Sequence, residues 1–172
     1  KQATQLINKL SRLTISSDGK LFTQVEQLTP TPPTEAEHTP GAFNNLKFDQ
    51  FAKVISDNKL TKKTGGRDVV WFGAEDYAYT GAKHQQQDMP KQFSDLARQL
   101  EEQLGYPEGY FNSVLSNLFP ANKQIPYHSD NENIFIRKDG TIGAVATISL
   151  GGTSDISIKD NKTGKIENVF TV

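Results

Sequence analysis

Apolar residues recur at different spacings in the two parts of this 172-residue chain, and this division restricts its fold. Residues 46–56 and 91–104 place apolar side chains three and four positions apart, which predicts two amphipathic helices. Beyond residue 110 the pattern instead predicts strands, over 110–119, 142–150, 154–159 and 166–172. Helices that precede a run of strands are typical of an α+β fold, here with a mainly β core and the helices packed outside it.

The first part of the chain lacks the pattern of a compact core. Residues 1–13 predict a short amphipathic helix, and residues 14–28 predict a hairpin that turns at Asp18-Gly19. Residues 29–41 are rich in Pro, Thr and Glu, which predicts an extended linker. We therefore divide the chain into an N-terminal segment and a compact domain, over 1–41 and 42–172.

Composition excludes several classes of site. The chain has no cysteine, so disulfides, thiolate metal sites and a cysteine nucleophile cannot occur within it. No apolar run is long enough to span a bilayer. The formal net charge of −1 provides no overall attraction to nucleic acid, so binding of a polyanion requires a local basic patch.

One histidine and one aspartate, His128 and Asp130, lie two positions apart. On an extended backbone, side chains at this spacing project from the same face. One imidazole and one carboxylate are two of the three ligands in the facial triad that binds non-haem Fe(II) and leaves positions open for a co-substrate and O₂. The tripeptide alone is a weak signal, because most His-x-Asp pairs are surface polar residues.

The segment around this pair reads Asn-Leu-Phe-Pro-Ala-Asn-Lys-Gln-Ile-Pro-Tyr-His-Ser-Asp-Asn-Glu, from Asn117 to Glu132. It resembles the first metal motif of the AlkB family, whose members are Fe(II)- and 2-oxoglutarate-dependent dioxygenases that demethylate nucleic acids. In that family an Asn stands eleven residues before the His, with an aromatic residue two positions after the Asn. The resemblance implies that His128 and Asp130 are catalytic residues that bind Fe(II), and that Asn117 and Phe119 lie beside 2-oxoglutarate.

Phe119 departs from the family pattern. The family usually has a tyrosine there, whose hydroxyl helps to hold the co-substrate, and phenylalanine cannot donate that hydrogen bond. The stretch from Ile142 to Gly151 resembles the next core strand of the family, and the resemblance covers about residues 43 to 172. Together with the strand pattern, it implies a double-stranded β-helix, which is a jelly-roll-like core, with the two helices flanking it.

An aromatic segment precedes the motif. On its own, the alternation of Trp71, Tyr77 and Tyr79 around Gly73 predicts a half-buried hairpin. The AlkB family carries a similar pair of strands, with a Tyr-x-Tyr pattern, as a lid over the flipped base. Aromatic rings stack on nucleobases. We therefore expect Tyr77 and Tyr79, rather than Trp71, to face the substrate.

Three further residues are candidates for substrate binding. Tyr127 and Glu132 belong to the motif segment itself. Arg67 follows a Gly-Gly pair within a lysine-rich stretch, which favours a solvated turn or, as the alternative, a phosphate contact.

The family's second metal-binding His and its co-substrate-binding Arg stand downstream of the first motif. In this sequence no His follows His128, and the only Arg after Asp130 is Arg137. We expect the strands that would carry those residues to lie beyond this sequence. The alternative is a nucleic-acid-binding module that keeps the fold but has lost the complete iron site.

The spelling of the motif is similar to that of AlkB domains in the replicase polyproteins of plant RNA viruses. This resemblance implies a monomeric enzyme of the host cytoplasm that acts on methylated RNA or single-stranded DNA, next to other replicase domains. A Ser-His-Asp hydrolase is disfavoured because no serine stands in a nucleophile elbow. An oxygenase that hydroxylates protein side chains is a further alternative, against which the aromatic lid argues.

Overall fold

The computed structural model describes residues 13–25, 35–79, 81–130, 132–136, 140 and 143–172. The helix predicted over residues 1–13 therefore lies outside the described residues, except for Leu13, which begins the first strand. The helices and strands follow one another in the order β1 Leu13–Val25, β2 Glu35–Thr39, α1 Phe48–Asp57, β3 Lys62–Thr64, β4 Arg67–Phe72, β5 Tyr77–Tyr79, β6 Ala82–His84, α2 Lys91–Leu104, β7 Val114–Leu118, a 3₁₀ helix Asn133–Phe135, β8 Val145–Leu150, β9 Asp155–Lys159 and β10 Ile166–Thr171.

The helices predicted over residues 46–56 and 91–104 are confirmed as α1 and α2. α2 begins after Pro90 and ends at Gly105, whose φ of 71° is the left-handed conformation that glycine adopts at a helix end without strain. The apolar stripe of α2 packs through Phe93, whose ring lies 5.3 Å from that of Phe51 on α1 and 5.2 Å from that of Phe72 on β4. α2 has 14 residues, and within the described ranges no helix is long and apolar enough to cross a membrane.

A buried carboxylate connects the end of α2 to the chain that enters β7. Glu101 is 2 % exposed, and its carboxylate accepts hydrogen bonds from the backbone N–H groups of Gly109 and Phe111 at 3.1 and 2.8 Å. Arg98 lies 2.7 Å from the same carboxylate. These bonds satisfy a buried charge, and they fix the course of the chain just before the strand that carries Asn117.

The strands form one six-stranded sheet and two two-stranded sheets within the described residues. The large sheet has the order β2-β1-β7-β4-β3, with β8 paired to β1; β5 pairs with β6, and β9 pairs with β10. The strands predicted over the second half of the chain are confirmed as β7, β8, β9 and β10. The described residues are thus mostly β with two α-helices, whereas the double-stranded β-helix remains a prediction.

Two predictions for the N-terminal segment need correction. The predicted hairpin is assigned as one strand, β1, but its chain does reverse at Asp18-Gly19: its partners on β8 rise from Ala146 to Leu150 over residues 13–17 and fall from Leu150 to Val145 over residues 18–24. The two halves of β1 thus pair with β8, whereas the prediction paired them with each other. The predicted linker is wrong over β2, which pairs antiparallel with β1. Backbone N–H and C=O groups find sheet partners whatever the side chains are, so a polar composition did not prevent strand pairing. The sheet therefore includes strands from both sides of the boundary predicted at residues 41 and 42.

The large sheet presents two different faces. Val70, Phe72 and Val114 point to one face and join the core cluster that includes the residues of both helices. The alternate residues of β4 and β7 point to the other face, where a second buried cluster consists of Val69, Trp71, Tyr77, Leu115 and Phe135. The candidate co-substrate residues lie on this second face, because they continue the same alternation.

Candidate metal centre and its surroundings

His128 and Asp130 lie close together, as their spacing predicted. His128 Nε2 is 3.7 Å from Asp130 Oδ1, and the side chains are 54 % and 17 % exposed. Two atoms that each lie about 2 Å from one metal ion are at most about 4 Å apart, so this separation suits a shared ion. The chain from residue 123 to 130 has no regular secondary structure. The proximity therefore does not come from the strand geometry used in the sequence argument.

The orientation of the His128 ring suits metal binding. Its Nδ1 lies 2.9 Å from the carbonyl oxygen of Pro126. A carbonyl oxygen only accepts hydrogen bonds, so Nδ1 carries the proton and donates. In the neutral imidazole, Nε2 then keeps its lone pair on the side of Asp130. A histidine that binds a metal usually donates its other N–H in this way.

A third protein ligand is not found in the part of the chain that the structure describes. Those residues contain no group of three or more His, Cys, Asp or Glu side chains able to hold a metal ion. His84 is 2 % exposed and packs against the rings of Tyr79 and Tyr77, while His38 packs against the ring of Phe170. One imidazole and one carboxylate therefore fit two positions of an Fe(II) triad.

Arg67, Asn117 and Phe119 form a second group on the face of the sheet opposite the helices. The Arg67 Nε–H donates to Asn117 Oδ1 at 2.8 Å, and the Arg67 guanidinium lies 5.7 Å from the centre of the Phe119 ring. Arg67 and Asn117 are 8 % and 2 % exposed. The arginine predicted to contact substrate from a turn is therefore buried beside the predicted co-substrate residues, because β4 and β7 pair and carry both side chains inward.

One polar atom in this group has no partner. Asn117 Nδ2 is buried and makes no hydrogen bond within the described residues. Buried amide groups are nearly always hydrogen-bonded, and one that is not calls for an explanation. Because Arg67 already fixes the Oδ1 end of the amide, the free end is a donor.

Comparison with known proteins identifies the family. The model of the 2OG-Fe(II) oxygenase superfamily matches residues 24–170. The chain belongs to the 2OG-Fe(II) oxygenase superfamily. It is 25 % identical to the RNA replication protein of Grapevine virus A (isolate Is 151) over 136 residues. This match covers 76 % of the present chain and 7 % of the viral protein. It is 34 % identical to the RNA replication polyprotein of Blueberry scorch virus over 93 residues. That match covers 52 % of the present chain and 4 % of the polyprotein. No solved structure matches the chain.

These matches confirm the resemblance drawn from the motif segment, both to this class of oxygenase and to viral replication proteins. Membership of the 2OG-Fe(II) oxygenase superfamily implies Fe(II) and 2-oxoglutarate as cofactors. The donor set of the chain agrees with this implication, since an imidazole and a carboxylate lie within reach of one ion and a buried amide donor is free.

The aromatic segment of this oxygenase differs from the prediction at Tyr77. That side chain is 1 % exposed; its ring stacks on Trp71 at 4.6 Å and meets Phe135 edge-on at 6.0 Å. The expectation that Tyr77 faces the substrate is therefore corrected: it closes the apolar cluster over β4 and β7. Tyr79 is partly exposed, with its hydroxyl 3.4 Å from His84 Nε2, and it stays a candidate for substrate binding.

The motif segment is contacted from the end of β9 and from the turn that follows it. Lys159 Nζ lies 5.2 Å from the centre of the Tyr127 ring, which is 56 % exposed. Asn161 Nδ2 donates to Ser129 Oγ at 2.9 Å. The strands predicted over 154–159 and 166–172 do not indicate these contacts, because no signal in a single sequence pairs residues thirty positions apart.

Glu132 lines a cleft of about 390 Å³ between β5 and the 3₁₀ helix. Glu75 and Asp76 line the same cleft, so its wall is acidic. The backbone N–H of Gln86, and then Lys83, hold the pKa of the Asp76 carboxyl below its usual value. The cleft thus places Glu132 next to the start of β5.

Proposed function

We propose that this oxygenase oxidatively demethylates N-methylated nucleobases in RNA, using Fe(II), O₂ and 2-oxoglutarate. The observation that carries the proposal is the His128–Asp130 pair, with Nε2 and Oδ1 3.7 Å apart, within a chain of the 2OG-Fe(II) oxygenase superfamily. The relatives named as RNA replication proteins favour RNA over single-stranded DNA as the substrate.

His128 and Asp130 would hold the iron. Bound Fe(II), with 2-oxoglutarate as the electron donor, supplies the activation of O₂ that an N-methyl C–H bond requires. The Pro126 carbonyl fixes the tautomer and the rotation of the His128 ring, so its free nitrogen is already directed at the ion. Asp130, only 17 % exposed, contributes the negative charge that favours a divalent cation over water.

Asn117 and Phe119 would bind 2-oxoglutarate. The free Nδ2 of Asn117 is a donor for an oxygen of the dicarboxylate, and Arg67 holds the amide in the orientation that presents it. Phe119 supplies an apolar wall beside the guanidinium. Since Phe119 has no hydroxyl, Asn117 carries more of the polar recognition than it does where a tyrosine stands at that position.

Tyr79, Tyr127 and Glu132 would contact the methylated base and its strand. Tyr127 is more than half exposed and Tyr79 is partly exposed, so each has ring surface available for stacking, which contributes about 1–3 kcal/mol per base. We propose that the fold around this site is a double-stranded β-helix. We further propose that the enzyme is a monomer and acts in the cytoplasm, beside other replicase domains.

A second candidate function is a nucleic-acid-binding module without iron. The observation that favours it is the lack of a third metal ligand among the described residues. Under this alternative the aromatic residues still bind RNA, whereas His128 and Asp130 have no catalytic part.

The test is formaldehyde release from an N-methylated RNA oligonucleotide in the presence of Fe(II) and 2-oxoglutarate. The unaltered protein and Asp130→Ala are assayed side by side, with an unmethylated oligonucleotide as the control. We expect release from the unaltered protein and its loss on Asp130→Ala. RNA binding without release by the unaltered protein would support the binding module instead.

A further inference from the structure

The turn that joins β9 to β10 has a well-defined internal structure. Asp160 Oδ1 accepts hydrogen bonds from the backbone N–H groups of Thr163 and Lys162, and the Gly164 N–H donates to the Asp160 carbonyl at 2.9 Å. Gly164 has a φ of 70°, which glycine adopts readily. The bond from Thr163 keeps the pKa of the Asp160 carboxyl below its usual value. The turn is therefore a firm support for side chains that project from it.

Two side chains, one at the end of β9 and one in this turn, contact the residues on either side of His128. Lys159 lies over the ring of Tyr127, and Asn161 donates to Ser129 Oγ. Ser129 itself separates the two candidate metal ligands in sequence. The chain they contact has no regular structure, so it lacks the ladder of backbone bonds that orders a strand.

We propose that Lys159 and Asn161 are positioning residues, which hold the Tyr127–Asp130 segment so that its imidazole and carboxylate bind one divalent cation. The inference rests on the proposed function of His128 and Asp130 as metal ligands. Neither positioning residue touches the ion. They order the segment before the metal binds, so that less conformational entropy is lost on binding.

Asn161 offers the cleaner test, because its replacement leaves the net charge unchanged. Mn(II) is titrated calorimetrically into the chain and into Asn161→Ala, and the melting temperature without metal is measured alongside. We expect Asn161→Ala to weaken Mn(II) binding about three- to tenfold, the size of effect that one lost hydrogen bond produces. The melting temperature without metal should hardly move, since the bond is exposed.

A double-mutant cycle with Ser129 identifies the bond responsible. Ser129→Ala and Asn161→Ala should each weaken Mn(II) binding to a similar extent, and the double variant should be no weaker than either alone. Asn161→Asp should restore tight binding, because Ser129 then donates to the new carboxylate. Asn168→Ala, the same kind of change on β10, serves as the control and should bind Mn(II) like the unaltered chain.

Two results would overturn the inference in distinguishable ways. If the unaltered chain binds Mn(II) and Asn161→Ala binds it equally well, the positioning role is refuted while the metal ligands stand. If the unaltered chain binds no Mn(II), the metal site itself is refuted, and the positioning role with it.

Discussion

At the scale of single residues, the strongest sign of a ligand is the amide of Asn117. A buried donor without a partner costs about 1–3 kcal/mol, and the fold leaves Asn117 Nδ2 in that state. Rotation of the amide by 180° would not remove this cost, because the Arg67 Nε–H needs Oδ1 as its acceptor. The side chain is thus held with its N–H₂ group available to an acceptor such as a carboxylate.

The substitution Asn117→Asp tests the acceptor and donor ends of this amide separately. The new carboxylate still accepts from Arg67, so the melting temperature should be retained or raised. It no longer donates and it repels a dicarboxylate, so stabilisation of the chain by 2-oxoglutarate with Mn(II) should be lost. Thermal unfolding with and without 2-oxoglutarate checks this. Equal stabilisation of Asn117→Asp and the unaltered chain would remove Asn117 from the co-substrate site.

At the scale of elements, β5 is divided between packing and the open surface. Tyr77 at its start is buried against Trp71 and Phe135, whereas Tyr79 at its end is partly exposed. The Tyr-x-Tyr spacing places both side chains on the same face of β5, where both rings pack against His84. The sequence pattern alone therefore does not show which tyrosine is buried. The strand as a whole covers the apolar face of β4 and β7 that the helices leave open.

Replacement of the two tyrosines should therefore have unequal effects. Tyr77→Ala should lower the free energy of unfolding by about 3–5 kcal/mol, as loss of a large buried ring does. Tyr79→Ala should lower it much less and should instead weaken binding of a methylated oligonucleotide. Urea denaturation and fluorescence anisotropy measure the two quantities. A small loss of stability in Tyr77→Ala, or a loss for Tyr79→Ala as large as that for Tyr77→Ala, would contradict the packing described for β5.

Sequence pattern predicted the elements whose apolar residues recur at a regular spacing or stand in a run. The stripes of α1 and α2 show the regular spacing, and β7 and β8, which are buried on both faces, contain the apolar runs. The structure confirms these elements, together with β9 and β10. β2 and β6 carry little of either pattern: β2 is held by backbone pairing to β1, and the polar His84 on β6 is buried by aromatic stacking. The pairing of His128 with Asp130 was predicted from spacing, but the contacts of Lys159 and Asn161 depend on tertiary packing that no local pattern records.

At the scale of the whole molecule, one sheet serves two purposes. The face towards α1 and α2 holds the main core, which stabilises β4 and β7. The opposite face of the same two strands carries Arg67 and Asn117 next to a smaller aromatic cluster. A site built on paired central strands is held more precisely than one built on loops. The metal-binding segment is the exception, since it lies on irregular chain supported from the β9–β10 turn.

The central claim is that His128 and Asp130 bind one divalent metal ion, and calorimetric titration of Mn(II) tests it most directly. The unaltered chain should bind one ion, and His128→Ala and Asp130→Ala should each abolish binding, because either change leaves a single protein ligand. Asp95→Ala, which removes an exposed carboxylate on α2, is the matched control and should bind as the unaltered chain does. Unchanged Mn(II) affinity in His128→Ala or in Asp130→Ala would contradict the account.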